Sequence, residues 1–164
     1  MKHIFLHDNE VANRIAKLVE EAYPYMEEFF YLPDTVNISI TTDIKARGLM
    51  GFSGGVHSVW IKQFKRYSPY GIISTLAHEL AHVEQYYTGR MEDDGNYFRW
   101  NGKLYDLVDY DTLPYKEYIN LPWEKEAIEL SAMFVKMHPF LYKRKSIFTK
   151  LKEYVLTKIR ASNR

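Results

Sequence analysis

One pentapeptide constrains the fold of this chain more than any other feature: H-E-x-x-H at residues 78–82. Apolar residues around it recur at the spacing of a helix, which is predicted to run over 69–89. The apolar stripe of this helix consists of Ile72, Ile73, Leu76, Ala77 and Leu80. Two histidines four residues apart on a helix lie one above the other on the same face. His78 and His82 can therefore bind one metal ion, and Glu79 lies beside it, where its carboxylate can take a proton from water.

A catalytic zinc site needs a third protein ligand and one open position. The chain contains no cysteine, so the third ligand must be a histidine, an aspartate or a glutamate. The longer motif H-E-x-x-H-x-x-G-x-x-H is absent, because Gln85 and Thr88 stand where its glycine and last histidine would be. A carboxylate on the next helix, which begins at Pro122, is the alternative. Glu124 and Glu126 both flank the predicted buried side of that helix.

The neighbours of these two glutamates favour Glu124 without excluding Glu126. Glu124 shares its face with the small residues Ala127 and Ser131, which allow close approach to the H-E-x-x-H helix. Glu126 shares its face with larger apolar side chains that are predicted to belong to the core: Leu130, Met133 and Met137. We therefore predict a Zn²⁺ ion bound by the two histidines and Glu124, with Glu79 as the catalytic base.

The arrangement of these residues resembles the gluzincin group of zinc metallopeptidases, in which H-E-x-x-H is followed by a helix that carries a further glutamate. It resembles more narrowly the small single-domain zincins, including metallopeptidases encoded by phages and bacteria. The resemblance covers roughly residues 35–137. The spacing from Glu124 to Ala127 matches the E-x-x-A of several gluzincins, whereas other relatives place the ligand directly before the alanine, at Glu126.

This resemblance implies an α+β, zincin-like fold. A small, twisted, mainly antiparallel sheet would pack against the active-site helix, which lies beneath an edge strand, and further helices would lie N- and C-terminal to this unit. The resemblance also implies hydrolysis of peptide bonds by zinc-activated water. The chain departs from the family pattern at an insertion, residues 91–121. It also departs at Ile128 and Leu130, which do not offer the acidic partner that some relatives place after the third ligand.

Periodicity and turn-forming residues predict the remaining elements. These are a helix over 8–30, a strand over 35–42, a glycine-rich loop or bulged edge over 48–55, a strand over 56–61, a helix from 122 that Pro139 stops, and a last helix over 146–159. Within the insertion, Asn101-Gly102 between short aromatic segments predicts a β-hairpin. This acidic and aromatic insertion could cover the cleft, bind a partner or form a decorated surface loop.

Positive charge is concentrated at the C-terminal end of the chain. Residues 138–164 carry eight lysines and arginines against one acid, Glu153, although the whole chain has a formal net charge of +1. The segment over 140–164 is predicted to form a basic C-terminal helix with a solvated charged face. Contact of this basic helix with a nucleic acid is the more specific alternative. The charge is modest and no zinc-finger pattern accompanies it, so we do not predict a nucleic-acid partner.

The length of 164 residues suits one domain over 1–164, with no linker or internal repeat. No apolar run approaches the roughly 18 residues of a membrane span. The apolar patch in MKHIFLHDNE is too short for the core of a signal peptide. Together with the lack of cysteine, this predicts a cytoplasmic protein without membrane contact. The oligomeric state is not predicted.

The predicted function is zinc-dependent hydrolysis of peptide bonds in a protein or peptide substrate. The alternative is a binding or regulatory module of the same fold. Such a module would hold metal and grip a protein, or nucleic acid through the basic helix, without proteolysis. The intact Glu79 argues against this alternative, because a scaffold that only holds zinc has no need of a catalytic base.

Two further features bear on a peptidase mechanism. The developing oxyanion needs a second donor besides the metal, and the candidates by residue type are His57, Tyr110, Tyr115 and Tyr118. The resembled fold also implies that the strand within 54–61 borders the cleft and pairs with an extended peptide. A bulged core strand is the alternative reading of that segment.

Overall fold

The structure is a computed structural model that describes residues 2–5, 10–64, 66, 68–93, 97–106 and 112–143. Its strands are β1 (Lys2–Phe5), β2 (Val36–Thr41), β3 (Gly48–Ser53), β4 (Val56–Lys62), β5 (Met91–Asp93), β6 (Phe98–Trp100) and β7 (Lys103–Tyr105). Its helices are α1 (Glu10–Phe29), α2 (Pro69–Tyr87), α3 (Tyr115–Tyr118) and α4 (Pro122–Met137), followed by a 3₁₀ turn at Pro139–Leu141. The predicted α+β class is confirmed.

The main sheet is mixed, with the strand order β1-β2-β4-β3. β1 and β2 are parallel, β2 and β4 are parallel, and only β3 runs antiparallel to its neighbour β4. The expectation of a mainly antiparallel sheet is therefore wrong. Parallel neighbours need a crossover connection, and α1 supplies one between β1 and β2.

Most of the glycine-rich segment over 48–55 forms the edge strand β3, Gly48–Ser53, and Gly54 and Gly55 form the turn that follows it. β3 pairs with β4 without a bulge, from Gly48 opposite Ile61 to Ser53 opposite Val56. This pairing places β4 in the interior of the sheet, between β2 and β3. The expectation that the strand within 54–61 pairs with a peptide is thus wrong, because both sides of β4 are already paired.

One hydrophobic core joins the sheet to α1, α2 and α4. α2 lies at its centre and contacts α1, α4, β3 and β4. Completely buried side chains come from every one of these layers, including Ile15, Ile38, Val59, Ile61, Ile72, Ile73, Leu76, Leu80, Val83 and Phe134. The H-E-x-x-H segment therefore belongs to a helix that is surrounded by protein on several sides.

The buried side of α4 differs from the predicted apolar stripe. Met133 is 47% exposed and Met137 is 59% exposed, so the expectation that they belong to the core is wrong. The buried residues are Trp123, Glu124, Ala127, Ser131, Phe134 and Val135. Small residues at Ala127 and Ser131 leave room for α4 to pack against α2.

The insertion over 91–121 forms a second, three-stranded antiparallel sheet with the order β5-β6-β7. The predicted hairpin is confirmed, since Asn101 and Gly102 connect β6 to β7 with φ angles of +48° and +76°. Apolar side chains of this sheet pack on Trp123 in the first turn of α4. The ring of Phe98 lies 4.2 Å from that of Trp123, between centroids. Over its described residues, the insertion supports the beginning of α4.

Two predicted features lie outside the described residues. They are the helix start at Asp8 and the basic C-terminal helix beyond residue 143. None of the described helices is both long enough and apolar enough to span a membrane.

The start of β3 touches α2 at Gly48. A Cβ atom at this position would lie 2.5 Å from Oε1 of Glu79 and 2.7 Å from Cγ2 of Thr75. Both separations are shorter than the ordinary contact distance between such atoms. Glycine is therefore the residue that lets the edge strand approach the helix turn that carries Glu79.

Replacing Gly48 by alanine is expected to lower the free energy of unfolding by about 1–3 kcal/mol, because the added methyl group forces strand and helix apart. Urea unfolding of the Gly48→Ala variant measures this change. Ser53→Ala, at the exposed end of the same strand, is the control and should change stability by less than about 0.5 kcal/mol. Equal unfolding midpoints for the two variants would contradict the close contact.

Candidate metal centre

The two histidines of the motif lie on one face of α2, as predicted. Ser68 caps the helix by accepting a hydrogen bond from the Gly71 N–H at 3.0 Å, and Pro69 occupies its first turn. One helical turn separates His78 from His82, and their Nε2 atoms are 3.2 Å apart. Both imidazoles thus direct the same ring nitrogen to a common point.

Glu124 on α4 completes a group of three possible metal ligands. Its Oε2 lies 3.3 Å from Nε2 of His78, and its Oε1 lies 3.4 Å from Nε2 of His82. A tetrahedral zinc ion with bonds of about 2.0–2.1 Å places neighbouring ligand atoms about 3.4 Å apart. Each imidazole nitrogen lies at about this distance from the other imidazole nitrogen and from one oxygen of Glu124, so the group could hold a metal ion.

Contacts with the two histidines and with Tyr118 keep Glu124 ionised although it is buried. The residue is 4% exposed, and burial by itself would raise the pKa of its carboxyl. The contacts with His78 and His82, the charge of His82 and a hydrogen bond from Tyr118 outweigh burial and lower the pKa to about 2. Oε2 is buried and accepts no hydrogen bond of good geometry from the described residues. Such an anionic oxygen, with capacity left to bind, suits a cation.

Gln85 orients His82. Its Oε1 is 2.7 Å from Nδ1 of His82, while its Nε2 donates to the Trp123 carbonyl at 3.0 Å and to Glu126 Oε2 at 2.9 Å. Because both of the latter groups are acceptors, the orientation of the amide is determined, and Oε1 must accept a hydrogen bond from the N–H at Nδ1. In the neutral ring, the lone pair is then on Nε2, which faces His78 and Glu124.

Glu126 takes a supporting position instead of a ligand position. Nη1 of Arg90 lies 2.6 Å from both carboxylate oxygens of Glu126, and Gln85 donates to the same carboxylate. Glu124 meets the two histidines, whereas Glu126 meets Arg90 and Gln85. The geometry therefore favours Glu124 over Glu126, and it makes Gln85 and Glu126 the orienting partners that the resemblance did not identify.

Sequence reasoning noted Gln85 only as a departure from a longer motif. One signal could have found its role: it is a polar residue three positions after His82 on a largely apolar helix. Its partners Trp123 and Glu126 are about 40 residues away in the sequence, so no local pattern predicted them. Gln85 is completely buried, and a buried amide needs hydrogen-bond partners.

Glu79 lies next to this group on α2 and is 7% exposed. Burial is the largest cause that raises the pKa of its carboxyl, and the charge of Glu124 adds to it. The charges of His82 and His78 oppose this shift without cancelling it. A carboxyl with a raised pKa binds protons more readily than an exposed one, as a general base requires.

The candidate oxyanion donors that the structure describes lie in different surroundings. Tyr118 hydrogen-bonds to Glu124, and Tyr115 is 74% exposed. His57 is buried against the ring of Phe52, at 4.6 Å between centroids, and its Nδ1 has no partner among the described residues. Tyr110 lies outside the described residues. Among the three candidates that the structure describes, Tyr118 is thus the one that reaches a ligand, and there it positions Glu124.

Comparisons with protein families, with curated proteins and with solved structures find no significant match to this chain. What the centre can do is therefore judged from its own geometry and donor atoms. Two imidazoles and one carboxylate are compatible with zinc and with other divalent transition metals.

The wild-type protein, purified without chelators, is expected to contain about one zinc ion per chain. Glu124→Gln should lose the metal, because the neutral amide removes the anionic ligand, whereas Glu126→Gln should retain it. Elemental analysis of the purified variants measures both results. Glu129→Gln, an exposed residue on the same helix, is the control. Loss of zinc from the Glu126→Gln variant together with retention of zinc by the Glu124→Gln variant would reverse the assignment.

Replacing Gln85 by leucine is expected to weaken zinc binding about 10–100-fold, because His82 then loses the partner that orients its ring. Competition with a chromophoric chelator measures the affinity. A purely structural role for Gln85 predicts a different result: the metal-free variant would be less stable, but the affinity of the folded protein for zinc would be unchanged.

Proposed function

We propose that this protein is a zinc-dependent metallopeptidase of zincin-like fold that hydrolyses peptide bonds in a protein or peptide substrate. The observation that carries the proposal is the grouping of two imidazole nitrogens and one carboxylate, each 3.2–3.4 Å from the next, with a second buried carboxylate, Glu79, beside them. Two histidines and one carboxylate form a donor set of catalytic zinc sites, which leave one coordination position for substrate or water.

Zinc bound by His78, His82 and Glu124 would polarise the scissile carbonyl and lower the pKa of a water molecule toward about 7. Glu79 would accept a proton from the attacking water as its oxygen bonds to the carbonyl carbon. The same carboxyl would then deliver this proton to the leaving nitrogen when the C–N bond breaks. The raised pKa of Glu79 supports both transfers, because the group can hold the proton between them.

The edge strand offers a place for an extended substrate. Among the described strands, β3 pairs only with β4, so one side of its backbone has no strand partner. Leu49 and Phe52 on β3 are about half exposed. A peptide could add to this edge by main-chain hydrogen bonds, and Gly48 would bring it near the turn of α2 that holds Glu79.

The buried Glu79 also separates this proposal from a binding module. A module that only grips a partner gains nothing from a desolvated carboxylate next to its metal ligands, since burying an acid costs free energy. A general base benefits from the same burial, because it raises the pKa toward the working pH.

Replacing Glu79 by glutamine is expected to preserve zinc binding and to lower the rate of peptide hydrolysis about 10²–10⁴-fold. Amide and carboxylate have nearly the same shape, so the fold and the metal ligands remain in place. Cleavage of fluorescently labelled casein, together with elemental analysis, measures the two properties. Glu129→Gln serves as the control and should cleave like the wild type. Unchanged hydrolysis by the Glu79→Gln variant would refute the mechanism.

A further inference from the structure

A cavity of about 540 Å³ lies beside the N-terminal half of α2. This volume falls in the range of about 300–1,000 Å³ that is typical of small-molecule sites. Its walls include Arg47, Arg66, Phe64, Tyr70, Ser74 and Thr75. The metal ligands are not among the residues that line it, and Arg47, Arg66, Phe64 and Tyr70 are exposed, so it is an open cavity distinct from the candidate metal centre.

The cavity adjoins the candidate metal centre. Ser74 precedes His78 by four residues and Thr75 precedes Glu79 by four, so each lies one helical turn from a residue of the centre. Thr75 and Glu79 also meet at one point, since both lie within 3 Å of the position that a Cβ atom of Gly48 would take. Arg47 lines the cavity and directly precedes Gly48, so the cavity reaches the beginning of the edge strand β3.

The cavity is positively charged. Arg47 and Arg66 line it, and none of its described lining residues is acidic. Neither guanidinium group has an ion pair or hydrogen bond within the described part of the chain. Lys62 adds a third positive charge nearby, with its Nζ 5.4 Å from the ring centre of Phe64. Cations gathered at one concave surface without a carboxylate favour an anionic ligand.

We propose that this cavity binds a carboxylate of the substrate, on a residue next to the peptide bond that is cleaved. The inference depends on the proposed peptidase function and specifies its substrate class. The planar guanidinium fork of arginine matches the two oxygens of a carboxylate. The rings of Phe64 and Tyr70 can pack against the aliphatic part of such a residue. The carboxylate can come from an aspartate or glutamate side chain or from the C-terminus of a peptide.

Cleavage of a synthetic peptide mixture with randomised central positions tests the proposal and separates the two sources. One half of the mixture has amidated C-termini and the other half has free C-termini, and mass spectrometry identifies the products. Enrichment of aspartate and glutamate at one position beside the cleaved bond, in both halves, indicates a side-chain carboxylate. Cleavage restricted to bonds near a free C-terminus indicates the terminal carboxylate.

The arginines are then tested individually. Arg47→Ala and Arg66→Ala are each expected to lower kcat/KM for the preferred acidic peptide about tenfold, because a charge-assisted hydrogen bond is lost. Cleavage of the matching peptide that lacks this carboxylate, with glutamine at that position or with an amidated C-terminus, should be nearly unchanged. The double variant Arg47→Glu, Arg66→Glu should prefer lysine or arginine instead. Arg14→Ala, an exposed arginine on α1, is the matched control and should retain the wild-type preference.

Failure of this inference can be distinguished from failure of the proposed function. A wild-type protein that cleaves glutamate and glutamine peptides equally well, and peptides with free and amidated C-termini equally well, is a peptidase without a carboxylate site, which overturns the inference alone. A zinc-loaded protein that cleaves no peptide overturns the proposed function. In that case, fluorescence anisotropy measures binding to the Glu79→Gln variant of a labelled glutamate peptide and its glutamine counterpart, each with a free and with an amidated C-terminus. Equal affinities of all four peptides overturn the cavity proposal. Tighter binding of the peptides that carry the side-chain or terminal carboxylate supports it, provided that the arginine variants abolish the difference.

Discussion

The packing of α4 against α2 is the contact on which the candidate metal centre depends. α2 supplies two imidazoles from consecutive turns, but the third ligand arrives only because Ala127 and Ser131 let a second helix come close. A buried carboxylate and a buried histidine are costly alone and acceptable as a group, since each satisfies the other. The same proximity therefore forms the ligand set and makes its burial tolerable.

A chain of polar contacts holds the two helices at this separation. It runs from His82 through Gln85 to Glu126 and ends at Arg90, which also lies over the ring of Trp100 at 5.7 Å. The small sheet of the insertion packs from the other direction, on Trp123. Glu124 thus lies between a polar network and an aromatic cluster, and both restrict the positions that its carboxylate can adopt. The insertion gains a structural role in this way, beyond a loop at the surface.

The sequence predicted the features that depend on neighbours in the chain. Helix periodicity and capping located α1, α2 and α4, and the Asn101-Gly102 turn located a hairpin, because each signal is complete within a few residues. Strand pairing is different, since β1 pairs in parallel with β2 although the whole of α1 separates the two strands in the sequence. The glycines of β3 carry little strand preference of their own, and the strand forms because β4 and α2 hold it. The rotation of α4 was likewise undetermined, because both glutamates flank its buried side and only packing decides which one faces the histidines.

The distance in sequence between the ligands has a consequence for folding. His82 and Glu124 are separated by 42 residues, and this interval contains the whole insertion. An ion held at both ends would close that interval into a loop in every partly unfolded state that keeps it bound. The chain has no cysteine and hence no disulfide, so the ion would be its cross-link. Closing a loop of this size lowers the conformational entropy of the unfolded ensemble. By the chain-entropy relation, this raises the free energy of the unfolded state by up to about 4 kcal/mol. The side chains that could hold the ion would then also determine how tightly the middle of the chain is held together.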